Sequence, residues 1–279
     1  MPAFATPEPI TVTLDLAVGP VSVVATDRTD TVVTIAPSDP AKSGDVKAAD
    51  GTHVDLHDGT LTIQTGARWR SFTKASVDVT VEVPTGSVVQ GVALGPLFAQ
   101  GRLAACTFHS KAGDIWVDEV GRLDLRASAG SVVVGRAVGT TQVVVNAGSV
   151  RIREVDGDAT VKASNGATEI GQTAGSLKVN GAHGAITVER SLGDTDLRCA
   201  YGNIRVEEAV SGRLQAETSY GAIEVGVPVG TAAWLDATSQ HGTVRNLLQD
   251  ATGPDESDRT VEVRASTSYG NVAVRRPHA

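Results

Sequence analysis

The chain has 279 residues, which is long enough to bury a substantial core as one large domain or two ordinary ones. Aromatic residues make up only 4% of the chain while glycine occurs 30 times, and with abundant Val and Thr this composition favours many short strands over helices. The formal net charge is −8, and Lys and Arg are scattered singly, which argues against a nucleic-acid-binding surface.

The first residues carry no signal for export. Residues 1–10 lack a charged start followed by an apolar stretch, and no run in the chain approaches the roughly 18 apolar residues of a membrane span. We therefore expect no transmembrane segment and a cytoplasmic protein.

Residues 1–100 contain strand-like runs of irregular length. Asp58-Gly59 is a strong two-residue turn signal and predicts a hairpin over 53–65. The polar stretch 38–52 predicts a loop. We expect residues 1–100 to form irregular strands that cap or continue the repeats that follow them. Alternating apolar and polar residues, typical of half-buried strands, occupy 10–16, 31–35 and 75–83.

Residues 101–279 contain a glycine that returns about every 18 residues, and the first six steps are 17 to 19 residues long. A second series of glycines lies midway between the members of the first. One repeat is therefore two short strands with two corners, where glycine tolerates positive φ. The main series is Gly113, Gly130, Gly148, Gly166, Gly184, Gly202, Gly221, Gly242 and Gly270.

The strand after each main glycine alternates with period two. Ile186 and Val188, for example, flank the polar Thr187, and the copies repeat this pattern. One coil cannot shield its own apolar residues, so stacked coils at a spacing of about 4.8 Å predict a β-solenoid. A β-sandwich of hairpins is the competing fold, but it would not need glycine at one phase in nine successive segments.

The end of the chain is less regular than the repeats before it. Residues 247–258 predict an insertion loop, and the copy from His241 to Asn246 is degraded. No segment predicts a convincing helix, apart from one or two turns within Val244–Ala251. We expect the C-terminal end of the solenoid near Val272 and Val274.

No catalytic constellation, cofactor motif or metal site is predicted. Cys106 and Cys199 fall in inward columns five coils apart, so we expect two buried thiols rather than a disulfide. The turns lack the Asp of calcium β-rolls. His53, Asp55 and His57 share one strand face, which fits a solvated hairpin better than zinc.

The position before the main glycine changes from small residues to rings along the C-terminal half of the chain. Two interpretations remain open: rings packed on one another at a corner, or a binding strip for a glycan, a peptide or a partner strand. The residues of this possible binding strip are His183, Tyr201, Tyr220, His241 and Tyr269.

The repeat units resemble a bacterial family of β-strand repeats of unknown function, labelled "putative adhesin". The likeness rests on units such as Ala129-Gly-Ser-Val-Val-Val134 and Tyr201-Gly-Asn-Ile-Arg-Val206, on the opening Leu16-Ala-Val-Gly19-Pro-Val-Ser-Val-Val24 and on Val81-Glu-Val-Pro84-Thr-Gly86. The resemblance implies a β-solenoid, no known enzyme activity and, in many members, association with the cell envelope.

These observations predict a non-enzymatic scaffold or binding protein whose partner is an unknown protein or glycan. One alternative is a structural protein that forms homo-oligomers by stacking through its solenoid ends. A second alternative is a solenoid enzyme that acts on polysaccharides.

Overall fold

The computed structural model describes residues 2–66, 75–248 and 259–277. The chain forms two compact units, Met1–Val138 and Gly139–Ala279. Both units are built from stacked strands, which confirms the all-β solenoid predicted from the repeats. The predicted division into 1–100 and 101–279 concerns where regular coils begin, and it stays a prediction. Of the predicted insertion loop 247–258, residues 249–258 lie outside the described part of the chain.

Unit 1 has two faces of stacked parallel strands. β2 pairs in parallel with β6 and β8, and β3 pairs in parallel with β7 and β9. β9 and β10 are long and span both faces, with β11 stacked on the first part of β10. The elements are β1 (Ala3–Ala5), β2 (Thr11–Val18), β3 (Val21–Thr26), β4 (Asp30–Pro37), α1 (Ser43–Asp50), β5 (Thr52–His57), β6 (Thr60–Thr65), β7 (Val77–Pro84), β8 (Val88–Leu94), β9 (Leu97–Ser110), β10 (Ile115–Ala129) and β11 (Val132–Ala137).

The N-terminal end of unit 1 departs from parallel stacking. β1 runs antiparallel to β4, β4 runs antiparallel to β7, and β5 runs antiparallel to β6. The β5–β6 pair is the predicted hairpin: Asp58 and Gly59 have φ of 46° and 71°, as a two-residue turn with two left-handed residues requires. The prediction of the hairpin is thereby confirmed.

The helix α1 lies where the sequence predicts a loop, so that prediction is wrong for Ser43–Asp50. The helix is held by one buried carboxylate, because Asp45 accepts hydrogen bonds from the backbone N–H groups of Asp39 and Ser76 at 3.2 and 3.1 Å. Ala48 is the other buried residue of the helix. Two small inward side chains in eight residues give too weak a periodic signal to predict a helix.

Unit 2 consists of coils of two strands each. Every strand pairs in parallel with its equivalent in the next coil, as β14 does with β16 and β15 with β17. The strands are β12 (Thr141–Ala147), β13 (Val150–Val155), β14 (Ala159–Asn165), β15 (Thr168–Thr173), β16 (Leu177–His183), β17 (Ile186–Ser191), β18 (Thr195–Tyr201), β19 (Ile204–Ala209), β20 (Gly212–Tyr220), β21 (Ile223–Gly226), β22 (Thr231–His241), β23 (Val244–Asn246), β24 (Arg259–Tyr269) and β25 (Val272–Arg275).

The core of unit 2 is a set of columns of equivalent side chains. Ile186, Ile204 and Ile223 stand in register on successive coils, and each is at most 1% exposed. Neighbouring outward residues such as Arg205 remain exposed. The pattern of two inward positions around one outward position therefore comes directly from the sequence period.

The last coils do not stack in chain order. β24 pairs with β20 on one side and with β22 on the other, and β25 likewise lies between β21 and β23. The expectation that the solenoid ends near Val272 and Val274 is wrong, since both are buried in an interior coil. Among the described residues the outermost coil is formed by β22 and β23. The helical turns predicted within Val244–Ala251 are therefore wrong for Val244–Asn246, while residues 249–251 lie outside the described part of the chain.

The degraded repeat copy explains why β24 and β25 lie inside the stack and β22 and β23 lie at its end. In register, Asn246 occupies the inward column that holds Val225 and Val274 in the neighbouring coils. A polar amide inside the core would need hydrogen-bond partners that the column does not offer. At the end of the unit Asn246 is exposed, and the intact copy with Val272 and Val274 takes the interior position.

Candidate functional site

The predicted ring residues are brought together in one row. Each ring belongs to the last residue of its strand, at the corner that precedes a main glycine. Parallel pairing places these residues in register in the order His183, Tyr201, Tyr220, Tyr269 and His241. We call this row the ring ridge.

The rings of the ring ridge are stacked face to face. Successive ring centroids lie 5.0, 5.0, 4.9 and 4.5 Å apart, and the interplanar angles are 10°, 4°, 2° and 17°. These distances follow from the strand spacing of about 4.8 Å, because equivalent residues of parallel strands lie directly above one another. The interpretation as rings packed at a corner is confirmed, and the binding role stays a prediction.

Stacking determines which part of each ring is available to a ligand. The faces of the interior rings contact their neighbours, so the ridge presents ring edges and phenol oxygens rather than open faces. Tyr201, Tyr220 and Tyr269 are 52%, 48% and 47% exposed. His241 is the last ring of the row among the described residues, so no further ring of the row covers its outer face.

The surface beside the ring ridge is small and uncharged. The residues before the rings include Ala200 and Ser219, and those after the corner glycines include Asn203 and Ala222. The Asn203 side-chain oxygen accepts a hydrogen bond from the Ala222 N–H at 2.8 Å, which ties neighbouring coils together. The rings therefore project as a ridge between low, neutral flanks.

The outward sheet faces of unit 2 carry ion pairs between neighbouring coils. A guanidinium nitrogen of Arg151 lies 2.6 Å from a carboxylate oxygen of Glu169. The equivalent distance between Arg190 and Glu208 is 3.4 Å. These side chains are largely exposed, as on an ordinary solvated sheet. Residues of both signs are interspersed on the described part of these faces.

Two pairs of acidic residues close in sequence, Asp194 with Asp196 and Glu207 with Glu208, are each engaged by a cation or a backbone group. Asp194 accepts a hydrogen bond from the Arg213 N–H at 2.9 Å, while Asp196 lies 3.2 Å from the guanidinium of Arg198. Glu207 pairs with Arg205. These carboxylates take part in ion pairs and in hydrogen bonds at the corners.

The two cysteines show no sign of a reactive site, and the two histidines of β5 show no sign of a metal site. Cys106 and Cys199 are both free and buried. Burial raises the pKa of the Cys106 thiol to about 12, so it carries little thiolate near neutral pH. His53 and His57 are exposed on β5, and the described residues contain no cluster of three potential metal ligands.

Two exposed apolar regions were missed by sequence reasoning. Phe98 and Trp116 are adjacent on β9 and β10, and each is 39% exposed. The sequence did contain a signal for this first region, because the bulky apolar Trp116 occupies an outward position in its repeat. The second region is the outermost coil, where Trp234, Val244 and Leu247 are exposed.

The repeat architecture matches a known family model along nearly the whole chain. The model of Toastrack DUF4097 matches residues 12–276. The chain belongs to the Toastrack family. The family resemblance predicted from the repeats is thereby confirmed. No curated protein matches the chain.

Several solved structures are similar to this Toastrack chain at low identity. A "putative adhesin" from Bacteroides fragilis is 12% identical, with 98% of this chain and 95% of that chain covered and a TM-score of 0.38. A "putative adhesin" from Parabacteroides merdae is 13% identical, with 97% and 94% covered and a TM-score of 0.43. A "putative lipid binding protein" from Parabacteroides distasonis is 9% identical, with 98% and 96% covered and a TM-score of 0.33.

The Toastrack chain has one described helix, and it is short. No helix within residues 2–66, 75–248 and 259–277 is long and apolar enough to cross a membrane.

Proposed function

We propose that this Toastrack protein is a non-enzymatic binding protein whose ring ridge is the contact surface for a partner protein. The observation that carries the proposal is that three tyrosines, each about half exposed, are aligned on one edge although the core does not need them. Tyrosine is enriched where proteins contact each other, since one end is apolar and the other forms hydrogen bonds.

A protein partner is favoured over a glycan by the orientation of the rings. Sugar rings bind aromatic side chains by lying against an open ring face. Within the ridge the faces of Tyr201 and Tyr220 are occupied by neighbouring rings at about 5 Å. Ring edges and hydroxyl groups remain, and these suit the amide and carbonyl groups of a polypeptide.

The neutral flanks of the ridge support the same choice. Ala200, Ser219 and Ala222 are small and uncharged, so a partner can approach the tyrosine edges without desolvating a charge. The ion-paired carboxylates on the sheet faces support a role without catalysis. A partner would therefore bind through hydrogen bonds and apolar contact, with little dependence on salt.

The experiment is a photo-crosslink in cells of the source organism. A photoreactive phenylalanine analogue at Tyr220 should capture one partner protein, whereas the same group at Gln215, on the sheet face of the same strand, should not. Replacing Tyr201 and Tyr269 by Phe in the Tyr220 probe chain keeps the ring stack but removes two hydroxyl groups. Capture should then fall by at least about tenfold, as expected when hydrogen bonds of a buried contact are lost.

Thermal unfolding provides the control for this comparison. The Phe variant should keep a melting temperature close to that of the parent chain, because ring stacking and coil packing are unchanged. Equal capture from Tyr220 and Gln215, or full capture by the Phe variant, would contradict the proposal. A glycan array that binds the chain only when the tyrosines are present would replace the protein partner with a carbohydrate.

A further inference from the structure

The outermost coil of unit 2 has an open side. β22 pairs with β24, and β23 pairs with β25, on one edge only. Within the described part of the chain no strand pairs with the other edge of either strand. Both edges therefore present backbone N–H and C=O groups that can pair with a further strand.

The core is exposed in cross-section at the same place. Val244 is 45% exposed, whereas its equivalent Val272, one coil inward, is fully buried. Leu235 and Ala237 are half-buried, and their equivalents in β24 are at most 2% exposed. The described residues leave open here the apolar surface that the interior coils bury against their neighbours, and such a surface is typical of an interaction site.

The N-terminal strands of unit 1 are protected by contrast. β1 has three residues and lies between Pro2 and Pro7, which cannot donate a backbone hydrogen bond. β5 belongs to an antiparallel hairpin and places His53, Asp55 and His57 in solvent. Short strands, prolines and charged side chains are the usual devices that prevent pairing at an edge.

We propose that the coil formed by β22 and β23 is a self-association surface through which two copies of the chain bind end to end. A single peptide strand would cover one edge and leave the other edge and the core between them exposed. The occupant must present two strands on either side of an apolar core at the spacing of one coil. The same coil of a second copy has this shape.

The charges of the terminal coil allow two copies to meet. Between Thr231 and Leu248 the charged side chains are one acid, Asp236, and one base, Arg245. A two-fold axis parallel to the strands would place β22 of each copy antiparallel to β23 of the other. Asp236 of one copy and Arg245 of the second copy then lie on the same outward face, so like charges are not forced together.

The assembly should close at two copies. The surface contacts itself, so the interface is isologous and uses up the open coil of both chains. A filament would need a second open edge on each chain, and β1 and β5 are protected against such pairing. The proposal thus distinguishes a dimer from an indefinite stack.

The test is the mass of the chain in solution, measured by light scattering over a range of concentrations. The expected result is twice the mass of one chain at high concentration. Ala237→Lys places a charge in the inward column of the open coil and should weaken dimerisation by at least about tenfold. Thr238→Lys adds the same charge one residue along, on the outward face, and should leave the dimer intact.

Two further variants keep the test decisive. Val244→Asp alters the second edge and should also give a monomer, which covers the case in which Ala237→Lys fails to fold; circular dichroism reports folding for both. Val54→Lys, on β5, should leave the dimer unchanged. A chain that is monomeric at every concentration would overturn the proposal. A species that grows beyond the dimer and is reduced by Val54→Lys would overturn it as well.

Discussion

The corner glycines of unit 2 occupy positions that no other residue can take at low cost. Gly184 has φ of +130°, and a Cβ built on it would lie 2.3 Å from the carbonyl oxygen of Gly166 in the neighbouring coil. The clash is with backbone, which cannot rotate away. The recurrence of glycine in the sequence therefore reflects both the turn itself and the close approach of stacked coils.

Substitution at a corner should accordingly be costly. We expect Gly184→Ala to lower the free energy of unfolding by more than about 2 kcal/mol, through backbone strain and displacement of the adjacent coil. Urea unfolding followed by circular dichroism measures this. Gly181→Ala is the matched control, because its Cβ would meet the Ile186 side chain at an ordinary 3.5 Å. Equal losses in both variants would refute the role of the corner.

What the sequence could predict about the candidate site is mainly the position of its single residues. The position before each main glycine fixes where Tyr201 and Tyr220 lie, and parallel register then stacks their rings. The stacking itself, and with it the loss of open ring faces, depends on side-chain rotation at the corner. That rotation leaves no trace in the repeat pattern, so the sequence could not decide between packing and binding.

At the scale of elements, outward side chains on adjacent strands form ion pairs across the coils. Arg151 on β13 and Glu169 on β15 are in register and 2.6 Å apart. Their side chains are 65% and 48% exposed, so solvent and salt screen the attraction. Such pairs keep the sheet face soluble and contribute little to its stability.

Neutralising one of these pairs should therefore change little. Glu169→Gln should alter the free energy of unfolding by no more than about 1 kcal/mol, since exposed pairs contribute that much at most. Chemical denaturation at low and high salt measures the change. A loss of several kcal/mol in the free energy of unfolding of Glu169→Gln would show that the pair is a main support of the coil. A fall of the same size in the parent chain when salt is raised would show this as well.

Elements differ in how well the sequence predicted them. The β5–β6 hairpin was predictable because Asp58-Gly59 allows a single tight turn. The helix α1 was not, because its position depends on Asp45 reaching backbone groups that are distant in sequence, among them the N–H of Ser76. The order of β22 and β24 was not predictable from the glycine period either, because the period gives the phase of each copy along the chain and not its place in the stack.

The stacking order makes a prediction for the whole molecule. Because terminal repeats have one neighbour and interior repeats have two, the outermost coil should open most easily. In the Ala237→Lys variant, amide hydrogen exchange should be faster in β22 than in β24, although β24 lies later in the chain. Mass spectrometry of peptic fragments resolves the two strands. Faster exchange in β24 than in β22 would contradict the observed order of coils.

The position of β24 also bears on how the protein is made. A coil that stacks on the preceding one can be added as soon as the ribosome has released it. β22 and β23 leave the ribosome before β24 and β25, yet they rest on those later strands. The strands on which the coil starting at Thr231 stacks do not exist until residues 259–275 have been synthesised. Folding of this coil must therefore wait until β24 and β25 have left the ribosome, and any earlier stacking of β22 on β20 has to be undone.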